Sequence, residues 1–133
     1  MDANEYYKYK EILGKFCESV GGKLVHIVGG WQEGRERVIC LAKGLGDVTA
    51  SISIIKDPEY KSIDFEVTVN KKDDEGAFVD DIYIEKISKL NIEEAGGEPM
   101  LVVEDASRNT LVTIHKATEL KKISGVNLIR HNR

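Results

Sequence analysis

At 133 residues, the chain has the length of one domain, residues 1–133, and buries about two-thirds of the surface its unfolded form exposes. Apolar residues make up 41% and charged residues 32% of it, a balance that excludes a disordered or fibrous polypeptide. The formal net charge of −4 disfavours strong non-specific DNA binding, which depends on basic side chains displacing counterions, and no apolar run approaches the roughly 20 residues of a membrane-crossing helix.

Residues 4–20 are expected to form a helix, because Tyr9, Ile12, Leu13, Phe16, Cys17 and Val20 fall on one apolar stripe. Gly21 and Gly22 end it, glycine taking a left-handed cap at little steric cost. Four strands follow at 23–28, 37–42, 48–55 and 62–70, separated by the turn-rich stretches GGWQEGRE, KGLGD and KDPEYK. Such short connections imply antiparallel neighbours. A second helix is expected over 80–95, with Ile84, Ile87 and Leu90 inward and Gly96–Gly97 as its stop. A strand at 99–105, a tight turn at SRN, a hairpin partner at 110–115 and a short helix over KATELKKI complete the chain. The expected fold class is α/β, a mixed β-sheet flanked by helices in the order α-β-β-β-β-α-β-β-α.

The most informative stretch is SIDFEVTVN at 62–70. Ile63, Phe65, Val67 and Val69 alternate with Asp64, Glu66, Thr68 and Asn70, the pattern of a half-buried strand whose polar face lines up two carboxylates, a hydroxyl and an amide. Its bland reading is a wet sheet surface; its sharp reading is a metal site. Cys17 and Cys40 sit among apolar residues and read as two buried free thiols in preference to a disulfide, and no His/Cys cluster has zinc-site spacing. His26, His115 and His131 are scattered, and Trp31 lies in a loop suited to contacts. The polar opening MDANEYYKYK lacks the apolar core of a secretory signal, so a cytoplasmic location is expected.

The order of elements contains αβββαβ, and YIEKISKLNIEEAGGEPMLVVEDASRNTLVTIHKATEL (83–120) resembles the C-terminal half of the archaeal Holliday-junction resolvases, members of the PD-(D/E)XK nuclease superfamily. The resemblance implies a restriction-endonuclease-like core. It also implies a metal-dependent endodeoxyribonuclease acting on branched or duplex DNA, and a homodimer matching a two-fold junction. Asp47 and Glu66 would be the paired carboxylates holding Mg²⁺, with Asp64 on the same strand face and Glu11 of the first helix completing the metal site. The metal would activate water and offset charge at the scissile phosphate. This chain departs from the family pattern at the lysine, where it has Thr68. Lys71 would point to the apolar face, and Lys72, of the right parity, lies about 13 Å further along the strand. A hydroxyl does not replace a cation in stabilising phosphoryl charge, so catalysis is expected to be impaired and the protein to act by binding DNA or another protein. An active nuclease and a small acidic protein-binding module, similar in element order to type III secretion chaperones, are the alternatives.

Overall fold

The computed structural model describes residues 3–29, 33–43, 49–73, 76–106, 110–116 and 126–132. Among these lie one helix, α1 (Ala3–Ser19), and nine strands: β1 (Lys23–Val28), β2 (Glu36–Lys43), β3 (Thr49–Asp57), β4 (Ser62–Asp73), β5 (Gly76–Ile84), β6 (Ile87–Ala95), β7 (Glu98–Asp105), β8 (Thr110–Lys116) and β9 (Val126–Asn132). The strands form two antiparallel meanders, β1-β2-β3-β4-β5 and β6-β7-β8-β9. The coarse class, helix with sheet, agrees with expectation, and α1 and the first four strands fall within a few residues of their expected places.

The second half of the chain departs from the expected order. Residues 80–95, expected as a helix, are the end of β5, a two-residue corner and β6. The three-residue spacing of Ile84, Ile87 and Leu90 mimics a helical stripe, but Ile84 ends β5, and in β6 a register shift between Ile87 and Lys89 breaks the alternation so that both Ile87 and Leu90 are buried. Gly96 and Gly97, expected as a helix stop, have φ of 62° and 82° and join the paired residues Ala95 and Glu98. Positive φ at both central positions is what a two-residue hairpin of right-handed twist requires. The second helix of the αβββαβ core is therefore replaced by strands, and every strand pairing described is antiparallel. The last expected helix, 116–123, lies almost entirely outside the described residues, and β9 was not anticipated.

Helix α1 packs on the inner face of the five-stranded sheet and also contacts β6 and β7. Tyr6, Tyr9, Leu13, Phe16 and Cys17 form its buried side, in one core with Val38, Cys40, Ile52, Ile54, Phe65, Val67, Leu101 and Val103. The helix ends in a Schellman turn, Gly22 N donating to Cys17 O at 2.8 Å and Gly21 N to Glu18 O at 3.1 Å, with Gly21 at φ 70°. This turn lays the helix end against β2, where Cys17 and Cys40 are joined in a disulfide with Cα atoms 5.6 Å apart. The two cysteines are thus a covalent link, not the pair of free thiols expected. A residue with a Cβ at position 22 would meet both sulfurs and the Leu41 carbonyl at 2.8–3.0 Å, so glycine there is a condition of the link.

Candidate functional site

Alternation along β4 sends Ile63, Phe65 and Val67 into the core and Asp64, Glu66 and Thr68 to the opposite, outer face. Glu66 stands between Ser53 of β3 and Tyr83 of β5; Thr68 stands between Ser51 and Asp81. From β2, Arg37 reaches Glu66 and forms an ion pair through Nη2 and Oε1. Because β3 separates β2 from β4, the pair spans about 10 Å of sheet and lies over Ser53 and Ile55. This accounts for their near-complete burial, 2% and 0% exposed, on an outward-facing surface. The Thr68 hydroxyl donates to Asp81 Oδ1 at 2.6 Å.

At the end of β4 the outer face meets the corner at which the chain leaves the first sheet for the second. Asp64, 4% exposed, accepts three hydrogen bonds there. Ser62 Oγ and the Lys86 backbone N–H donate to Oδ1 at 2.9 and 3.0 Å, and the Tyr83 hydroxyl donates to Oδ2 at 2.7 Å. Burial of the Tyr83 hydroxyl and its bond to Asp64 push that phenol well above its ordinary pKa. Lys86 holds φ at 55°, an unusual conformation for a non-glycine residue, and its carbonyl accepts from Ala106 N at 2.7 Å. Asp64 therefore clamps the corner to the first sheet while Ala106 clamps it to the second. Nearby, Asp57 organises the β3–β4 turn by accepting from Glu59 N and Tyr60 N and pairing with Arg35 at 3.5 Å. A cavity of about 280 Å³ opens between this turn and the corner, floored by Asp57 and Asp64 and edged by Tyr60, Tyr83 and Glu85.

Of the residues expected to form a metal site, Asp64 and Glu66 do share one face. Glu11 does not join them: it lies on the exposed side of α1, paired with Lys15 at 3.8 Å, and the sheet on which α1 packs stands between. Asp47, Trp31 and the Lys72 side chain lie outside the described residues. The carboxylates of Asp64 and Glu66 are both already engaged within the fold. A carboxylate offers about four lone-pair directions; Asp64 has three donors on its oxygens, and Glu66 is already matched to a guanidinium. Among the described residues no group of three or more His, Cys, Asp or Glu side chains is placed to hold a metal, and no helix is long and apolar enough to cross a membrane.

Comparison with known families, curated proteins and solved structures finds no match. The site therefore rests on its own geometry. Its partners Arg37, Asp81 and Tyr83 escaped the sequence reading. The alternation of Asp81 and Tyr83 with buried Ile82 and Ile84 is the signal that would have placed them opposite Thr68 and Glu66.

Proposed function

We propose that this protein is a non-catalytic recognition module that binds polypeptide through its five-stranded sheet, and not a metal-dependent nuclease. The observation that carries this reading is the Arg37–Glu66 ion pair. The carboxylate that would serve a metal is neutralised by the chain's own cation, and the hydroxyl in place of the lysine, Thr68, is spent on Asp81. The net charge of −4 supports a protein partner over DNA, since few basic contacts means little counterion release. The Cys17–Cys40 disulfide weighs against the cytoplasmic expectation, because such bonds persist chiefly in oxidising compartments.

The test is a pair of measurements on wild type. Incubation with a labelled four-way junction and Mg²⁺ or Mn²⁺ should leave the junction intact, and Mn²⁺ titration calorimetry should give the same negligible heat for wild type and Glu66→Ala. Metal-dependent cleavage by wild type, or a binding heat lost in Glu66→Ala, would restore the resolvase-like nuclease with Mg²⁺ as its cofactor.

A further inference from the structure

Strand β1 is the first strand of its sheet and, among the described residues, pairs only with β2. Its other edge presents a row of backbone N–H and C=O groups. Natural sheets protect such edges with proline, bulges or inward charges; β1 carries only Lys23, at its start. Both faces of the strand carry exposed apolar side chains, with His26, 3.7 Å from Glu36, between Leu24 and Val28 on the helix side and Lys23 at the start of the outer side. Leu24 and Val28 point to the helix side, yet are 44% and 65% exposed; on the outer side Ile27 is 46% exposed and joins Leu41 of β2, 43% exposed, with Val25 and Ile39 between them. An edge that is open among the described residues, with exposed apolar side chains on both faces, suits a strand that receives another.

The sequence of β1 identifies that other strand. Leu24-Val25-His26-Ile27-Val28 is palindromic in chemistry: two aliphatic residues, a histidine, two aliphatic residues. We propose that β1 pairs antiparallel with β1 of a second copy of this chain, about a two-fold axis through His26, joining the two five-stranded sheets into one. An axis normal to the sheet sets each residue opposite one that points to the same face. With the axis at His26, Leu24 faces the second copy's Val28, Val25 faces its Ile27, and His26 faces its own counterpart. The pairs within residues 24–28 are then matched in polarity on both faces, and Lys23 falls opposite Gly29. The neighbouring registers are not: an axis at Val25 sets Lys23 against Ile27 and Leu24 against His26, and an axis at Ile27 sets His26 against Val28. Cross-strand pairs are the unit of sheet stabilisation, so the His26 register is selected. The proposal deepens the recognition reading by naming the polypeptide that takes the edge.

The experiment is sedimentation equilibrium on the full chain over about 1 to 200 µM, a range that brackets a modest interface of this kind. The average mass should climb from 14.9 kDa toward twice that value. Ile27→Lys and Val28→Lys, at exposed positions that leave far-UV circular dichroism and melting unchanged, should each weaken association at least about tenfold. For the register, Leu24→Cys and Val28→Cys proteins mixed under mild oxidation should give a mixed disulfide-linked dimer well above the yield of either protein alone, assigned by peptide mass to positions 24 and 28. A mass that stays at 14.9 kDa throughout, association unaffected by both lysine variants, or cross-linking equal in all combinations overturns the proposal. A monomeric result leaves the recognition module standing with a foreign strand as partner, whereas junction cleavage would remove that reading without touching the dimer.

Discussion

Arg37 of β2 grips Glu66 of β4 across the whole width of β3. The two residues are 29 apart in the chain, and their pairing turns what looked like a candidate metal ligand into a strap over Ser53 and Ile55. Both side chains are only partly exposed, 31% and 25%, so the pair is better shielded than an ordinary surface bridge.

A double-mutant cycle measures this strap. Arg37→Ala and Glu66→Ala should each destabilise the fold by about 1–2 kcal/mol, and the double variant should lose less than the sum, with a coupling of about 1 kcal/mol. Urea midpoints of the four proteins supply the numbers. Additive losses would mean that the two residues act separately and that Ser53 and Ile55 are covered in some other way.

The corner clamp predicts a larger effect. Asp64→Ala removes one acceptor from three donors at once, Ser62 Oγ, Lys86 N and Tyr83 Oη, so a loss of about 3 kcal/mol is expected. Lys86→Gly should act in the opposite direction: glycine relieves the φ of 55° and should stabilise by up to about 1 kcal/mol. Thermal melts of the two variants, read for shifts of opposite sign, check both halves.

The helix end offers a covalent test. Thiol titration of the unfolded, unreduced protein should find no free cysteine, and reduction should lower stability by roughly 3 kcal/mol, the loop-closure contribution for residues 23 apart. Gly22→Ala should destabilise by about 1–3 kcal/mol, because its Cβ would lie 2.8 Å from Cys17 Sγ and 3.0 Å from the Leu41 carbonyl. The substitution should cost less once the disulfide is reduced and the sulfurs are free to move apart.

High pH should loosen the protein through Tyr9. Burial, followed by the hydrogen bond to Glu5 at 3.0 Å, pushes its phenol from 10.0 up to about 12. The folded state holds this proton more tightly than the unfolded chain does, so the stabilisation is complete below pH 10 and is lost as the pH climbs to about 12. The loss across that window is on the order of 1–2 kcal/mol. Urea midpoints at about pH 9 and about pH 11, compared between wild type and Tyr9→Phe, should show a smaller alkaline drop in the variant.

Local pattern was enough for the first half of the fold. The α1 stripe at Tyr9, Leu13, Phe16 and Cys17, the alternation from Ile63 to Val69 and the glycine and proline turns between strands each carry their period within a short window. The elements they predict are present. The polar face of β4 was equally legible as a face. What that face does was not, because its meaning depends on residues remote in the chain. Arg37 neutralises Glu66, Tyr83 and Lys86 occupy Asp64, and Cys40 meets Cys17, each brought there by strand pairing or helix packing.

Residues 80–97 show why tertiary structure decided the rest. Ile84, Ile87 and Leu90 satisfy a helical spacing and a strand–corner–strand path equally well, and Gly96–Gly97 is as good a helix stop as a hairpin turn. Intrinsic propensity does not separate these alternatives. Pairing of β5 with β4 and of β6 with β7 does, since it buries Ile82, Ile84 and Leu90 in the common core and gives each strand a hydrogen-bonded neighbour along one edge. Lys86, the corner residue with positive φ, has no local sequence signal for that conformation. It is held there by the Asp64 carboxylate and by Ala106, 22 residues upstream and 20 downstream.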